Sequence, residues 1–227
     1  MKNKNISIYV PVYNGEKTIE RCINSVLEQS IKPSNILILN DCSNDNTLKI
    51  LKNYEGLINI KSNASNIGLS YSRNIAVNEL KTRYIASIDA DVELDKNWLE
   101  ILYSSILKNK ATLAGGRMYE KYINNPFNHW RSLKIGQQLG NEDLTDPSFI
   151  FGCNNILDTE RIEKKDIYLY EGDYFKTNGE DLEFCKYLKK KILNYFIHPK
   201  LSATIYKMMM LKAFQIDIGD TFTMEMV

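Results

Sequence analysis

Tyr84-Ile85-Ala86-Ser87-Ile88-Asp89-Ala90-Asp91 is the stretch on which the fold turns. Five uncharged residues that stop at two carboxylates spaced by one residue read as a strand buried on both faces and ending in a polar loop. Such a strand needs helices to cover it, and apolar spacing supplies one on each side: about Ser70 to Leu80 before it, about Lys96 to Leu107 after it. The same rhythm runs back to the start of the chain. Ile6 to Val10 is a strand. Glu16 to Gln29 then puts Ile19, Cys22, Ile23, Val26 and Leu27 on one helical face, and Ile36 to Leu39 is a second strand. Ser43-Asn44-Asp45 caps a helix through Leu48, Ile50 and Leu51, and a third strand lies near Leu57 to Lys61. Four βα units in succession predict an α/β fold: a Rossmann-like, doubly wound, mostly parallel sheet with helices on both faces.

Beyond Ala111 the alternation breaks. Strand-like pieces at Leu113 to Tyr119 and Phe149 to Leu157 flank a polar, aromatic stretch from Asn124 to Pro147, which reads as an insertion facing substrate. Within it Trp130 suits either a sugar ring or a helix interface. A helix over Asp181 to Lys191 and a strand over Ile192 to Ile197 follow. The expected organisation is one domain over residues 1–207 and a helical tail over 208–227, whose apolar side would pack on the core, on a second subunit or on a membrane surface.

Formal net charge is +1 with 25% charged residues, which excludes the basic balance of a nucleic-acid partner. Cys22, Cys42, Cys153 and Cys185 lack the close pairs of a zinc or redox motif and read as buried free thiols of a reducing compartment. The apolar run at Ile6 is too short for a secretory leader, and no run reaches membrane-spanning length. The expectation is a cytoplasmic protein, with peripheral contact at the inner membrane face and a homodimer left open.

Ligands of open parallel sheets bind beyond the carboxyl ends of the strands, so those ends locate the site. They read Pro11-Val12-Tyr13-Asn14, Asn40-Asp41, Asn66-Ile67-Gly68 and Asp89-Ala90-Asp91. A carboxylate pair at a strand end can bridge a hard divalent cation to phosphate oxygens, or can serve as a solvated capping loop. Asp41 can meet a base or ribose edge, or join Asn40 and Ser43 in an Asx-type turn. Arg73 offers a fork for phosphate or for a carboxylate of the pocket, or is a surface arginine. Asn178-Gly179-Glu180-Asp181 opens a helix, where a carboxylate either caps it or acts as a general base. Gly152-Cys153-Asn154-Asn155 either seats a donor sugar or turns the chain.

In order and spacing these segments resemble glycosyltransferase family 2, inverting enzymes of the GT-A fold, over about residues 6 to 206. The motifs are Val10-Pro11-Val12-Tyr13-Asn14, Asn40 to Asp45, Asn66-Ile67-Gly68 with Arg73-Asn74, Asp89-Ala90-Asp91-Val92 and Gly179-Glu180-Asp181. The resemblance implies transfer of one sugar from a nucleotide-sugar donor, a UDP-sugar first, to a saccharide or lipid-linked hydroxyl acceptor in surface polysaccharide or glycoconjugate synthesis. It implies that Pro11, Val12, Tyr13 and Asp41 line the nucleobase, with Asn66, Arg73, Asp89 and Ala90 along base, ribose or phosphates. Asp91, with Asp89, would hold Mn2+ or Mg2+. Asp181 would be the catalytic base, with Glu180 as the second catalytic carboxylate. Cys42 stands where the family usually has glycine, and Thr204 to Lys207 carries no histidine where many members place a metal ligand after a proline like Pro199. His198, before that proline, reads as a strand-end residue. The signature of processive synthases after Asp181 is absent. The rivals are an idle sugar-nucleotide binding module, for which a base on the acceptor side has no use, and a nucleotidyltransferase, for which Val10 to Gly15 lacks a glycine-rich phosphate loop.

Overall fold

Strands β1 (Lys2–Val12), β2 (Lys32–Asn40), β3 (Asn59–Ser62) and β4 (Tyr84–Ile88) lie side by side in the order β3-β2-β1-β4, all parallel. The computed structural model describes residues 2–121, 126, 129–130, 144–145, 147, 150–162, 179–191 and 195–205. Helices α1 (Ile19–Leu27), α2 (Thr47–Lys52), α3 (Leu69–Glu79) and α4 (Trp98–Lys108) connect or follow these strands. This half is the doubly wound arrangement that the apolar rhythm predicts.

The second half of the sheet is mixed. Strand β5 (Val92–Leu94) follows Asp91 directly, and β6 (Leu113–Glu120), β7 (Leu144–Thr145), β8 (Asn154–Asp158) and β9 (Tyr195–Ile205) complete the described strands. The sheet continues from β4 through β8, β6 and β9 to β5, with β8 antiparallel to both neighbours. β5 and β7 pair antiparallel with β9, while β6 and β9 run parallel. The strand expected from Phe149 begins only at Asn154, because residues 150–153 form a loop beside the strand ends. The strand expected over Ile192 to Ile197 instead begins at Tyr195 and runs to Ile205. The tail over 208–227, with Tyr206 and Lys207, lies outside the described residues, as does most of Asn124 to Pro147.

Alternation along the strands divides the core. Ile6, Ile8, Val10 and Ile38 face α1 and α4 with Trp98, whereas Tyr9, Leu37, Leu39 and Ile85 face α3 and the last described helix, α5 (Glu180–Lys190). Helices on both faces are thus observed. Helix α1 begins at Ile19 rather than Glu16, and the amides of Asn14, Gly15 and Glu16 ahead of it are bonded to Ser43 Oγ, Thr47 Oγ1 and Asp45 Oδ2 at 3.0, 2.8 and 3.0 Å. Asp45 also accepts from the amide of Thr47 at 2.9 Å and from its hydroxyl. Burial pushes its carboxyl up, but these hydrogen bonds outweigh that and hold it below the usual value. The loops after β1 and β2 therefore form one bonded rim.

Of the four thiols, Cys22 and Cys185 are buried as expected, Cys153 is half-buried and Cys42 is exposed; all are free. Among the described residues no helix is long and apolar enough to cross a membrane.

Candidate active site

The rim after β1 and β2 carries the residues expected to meet a nucleobase. Pro11 and Val12 are buried in β1, and the Val12 carbonyl accepts from the Asp41 amide at 2.8 Å, while Tyr13 is 49% exposed. Asp41 is buried, and its carboxylate accepts from Asn63 Nδ2 (2.7 Å) and from the amides of Ile67 (3.0 Å) and Gly68 (2.8 Å). It fastens the loop that starts α3. Gly68 sits at φ +89°, a backbone state suited to glycine, and Asn66 Oδ1 accepts from the same Gly68 amide at 3.2 Å. The Asx-type turn also forms, with the Ser43 amide on Asn40 Oδ1 at 3.2 Å.

Cys42 occupies a left-handed backbone position, φ +59°. An L side chain there costs about 1–2 kcal/mol, and glycine's extra unfolded-state freedom offsets about half of that. Cys42→Gly is therefore expected to stabilise the fold by about 0.5–1 kcal/mol, a rise of roughly 1–4 °C in Tm by calorimetry. A fall in Tm would show that the Cys42 side chain contributes more than its backbone strain removes.

Arg73 is no surface residue. It is 1% exposed, and its guanidinium bonds Asp89 Oδ1 through Nη2 at 2.8 Å and Glu180 Oε1 through Nη1. Gly152 makes room for it, since a Cβ there would stand 2.0 Å from Nη1. The carboxylate reading of its fork is the observed one: both nitrogens of the fork lie on carboxylates. Asp89 closes β4, with its backbone carbonyl accepting from the Cys22 thiol at 3.5 Å and from the Val92 amide at 3.1 Å. A Cβ on Gly15 would lie 3.7 Å from the Ala90 Cβ, so the β1 rim abuts this strand end.

Helix α5 brings the acidic pair. Asp181 accepts from the Gly152 amide at 3.1 Å through Oδ2 and from the Leu182 amide at 2.8 Å through Oδ1. Glu180 points inward, 2% exposed; burial pushes its carboxyl up, Arg73 opposes the rise, and Asp181 and Asp89 add to it. Burial also raises the Cys153 thiol, followed by the negative charges of Asp89, Asp91 and Asp181, with Arg73 opposing. One thiol thus feels all four charges. Glu180 was expected beside Asp181 as a second catalytic carboxylate, but its contact with Arg73 turns it away from solvent.

Several contributors carry no sequence signal. Asn63 is one polar loop residue among many until the fold sets it against Asp41, and Gly152 looks like an ordinary turn until Arg73 passes over it. The Arg73–Glu180 pair joins residues 107 positions apart. His198 pairs by backbone register with Gly116.

The family model described as Glycosyl transferase family 2 matches residues 7–164, from β1 through β8. The poly(ribitol-phosphate) β-N-acetylglucosaminyltransferase TarP of Staphylococcus aureus is 34% identical over 119 residues, which is 50% of this chain and 36% of TarP. The Escherichia coli UDP-Glc:α-D-GlcNAc-diphosphoundecaprenol β-1,3-glucosyltransferase WfgD is 36% identical over 121 residues, 53% of this chain and 47% of WfgD. The chain thus matches less than half the length of either relative. Among solved structures, S. aureus TarS 1-349 in complex with UDP-GlcNAc has TM-score 0.69 at 22% identity, covering 91% of this chain and 59% of that one. GalNAc-T7 with UDP, GalNAc and Mn2+ has TM-score 0.68 at 17% identity, covering 89% and 44%. At these identities both structures speak to the fold, which is that of the GT-A enzymes.

Proposed function

The chain belongs to glycosyl transferase family 2, and from that premise we propose that it transfers a single sugar from a UDP-sugar to a hydroxyl of a saccharide or lipid-linked saccharide, with inversion. The observation that carries the reading is the chain of contacts from Asp89 through Arg73 to Glu180, with Asp181 beside it on Gly152. It links the strand end expected to face the leaving group to the helix start expected to face the acceptor. UDP is favoured because TarS was solved with UDP-GlcNAc and WfgD is named for UDP-Glc. The WfgD name, with its GlcNAc-diphosphoundecaprenol, also supports a lipid-linked acceptor.

In this mechanism Asp181 takes the proton of the acceptor hydroxyl as its oxygen bonds the anomeric carbon. The bond from that carbon to the diphosphate breaks, and UDP leaves with the electron pair. Two amides fix the Asp181 carboxylate, so it meets the acceptor already oriented. Tyr13, exposed at the rim, would lie against the base, with Pro11, Val12, Asp41 and Asn66 shaping the floor and the loop behind it.

The donor set fits a divalent cation. Mg2+ and Mn2+ sites of nucleotide enzymes use one or two carboxylates plus phosphate oxygens, and Asp89, its side chain 31% exposed, lies two residues from half-exposed Asp91. Among the described residues no group of three or more acidic, His or Cys side chains gathers as a cation cage. Asp91 and Asp89 would hold the ion, which when bound would neutralise charge on the departing diphosphate. Mn2+ in the GalNAc-T7 structure supports that choice.

A panel of UDP, GDP, dTDP and CMP, each with and without Mn2+, tests the reading by thermal shift. Saturation at about a hundred times Kd adds roughly 2.7 kcal/mol, which at this size raises Tm by roughly 5–10 °C. The largest rise is expected with UDP and Mn2+ together. A larger response to GDP would move the donor class, and no response to any nucleotide would remove the donor reading.

A further inference from the structure

Arg73 ties together two segments that meet only through the fold. Its fork lies between Asp89, at the end of β4, and Glu180, the first residue of α5. Gly179, φ +89°, precedes that helix and supplies no side-chain cap. Glu180 Oε1 is on Arg73, while Oε2 is buried with no hydrogen-bond partner. The start of α5 is therefore anchored by one buried charge pair and by the bond from the Gly152 amide to Asp181. Gly152 serves both contacts at once, donating to Asp181 and leaving its bare Cα against the guanidinium.

We propose that Arg73 is a positioning residue that acts through Glu180 to hold Asp181 in place, rather than a ligand of the nucleotide. The inference rests on the reading of Asp181 as the base. It gives Glu180 a role that needs no access to substrate, in keeping with its burial. It also explains why the position facing Arg73 is a glycine.

Glu180→Gln is the cleanest test, because it keeps shape and leaves the Arg73–Asp89 contact intact. Hydrogen exchange of peptides covering 150–155 and 180–184 is expected to speed by about tenfold or more as the opening free energy of that segment falls by about 1.4 kcal/mol. Peptides of β1 and β2 are expected to stay unchanged. With the donor identified in the nucleotide panel, its Kd should stay within about threefold, while kcat drops about 10- to 100-fold, the scale of a misplaced catalytic group. Arg73→Lys should repeat the pattern in exchange, since an ammonium cannot span two carboxylates.

Four results would overturn the proposal: unchanged exchange around Gly152, a loss of protection spread evenly over the molecule, a Kd raised about tenfold or more by Arg73→Lys with kcat intact, or a loss in Glu180→Gln deeper than that in Asp181→Asn. The third would make Arg73 a nucleotide ligand, and the fourth would make Glu180 the base. If the wild type neither binds nor turns over any nucleotide sugar, the proposed activity falls, and the exchange comparison still decides whether Arg73 sets the Asp181 segment.

Discussion

Asp181→Asn is expected to bind UDP as the wild type does and to turn over about 100- to 10,000-fold more slowly, the span of a lost general base. That range corresponds to about 2.7–5.5 kcal/mol of barrier at 1.36 kcal/mol per tenfold. The substitution is mild in shape. An asparagine oxygen still accepts one of the two amides, Gly152 or Leu182, that hold the carboxylate, so the start of α5 keeps its course. What disappears is the capacity to take a proton, and a loss confined to kcat with Kd for UDP intact would separate that role from donor binding. Calorimetric titration with UDP and an assay of UDP release provide the two numbers. Equal turnover in the two proteins would remove Asp181 from the proton-transfer role and leave the binding-module reading in its place.

The first half of the fold is legible in the sequence because its causes are local. Runs such as Ile36 to Leu39 and Tyr84 to Ile88 are buried on both faces, so a stretch without charged residues marks each strand, and the polar residue that ends it marks the candidate site. The identity of Asp89 and Asp91 as candidates needs only that reading, whereas Asp181 stands at a helix start and is singled out by the family resemblance. What Asp41, Arg73 and Glu180 do is not local. Asp41 has two amides and a side-chain amide from a loop more than 20 residues away, and nothing in Asn40-Asp41-Cys42 announces them. The amides ahead of α1 are taken by Ser43, Thr47 and Asp45 of the loop after β2, a rim that no local pattern announces. Strand β5, three residues long, exists by pairing with β9, and a sequence window that short holds no period of its own. The antiparallel insertion of β8 between β4 and β6 is likewise a matter of pairing, since both orientations present the same buried pattern.

Arg73→Met follows from the same network and is expected to destabilise the fold by about 3–5 kcal/mol, the cost of leaving a buried charge without its partner. Tm should fall by roughly 6–20 °C, at about 2–4 °C per kcal/mol for a chain of this size. The two carboxylates on Arg73 do not share that cost equally. Asp89 is 31% exposed and can be hydrated when the guanidinium goes, whereas Glu180, at 3%, cannot. Replacing Glu180 as well therefore removes the stranded group: Arg73→Met with Glu180→Leu should recover most of the lost stability, because an apolar pair can stand where a buried ion pair stood. Gly152→Ala attacks the pair from outside, as its new methyl would stand where Nη1 lies, and the guanidinium cannot retreat without leaving one of its carboxylates. It should destabilise in the same direction as Arg73→Met and lose most of its effect in the Arg73→Met background, where the flexible methionine can give way. Thermal melts of these four proteins form the test. Additive losses from Gly152→Ala and Arg73→Met, or a double Arg73→Met/Glu180→Leu protein no more stable than Arg73→Met alone, would mean that the cost lies in packing rather than in an uncompensated Glu180.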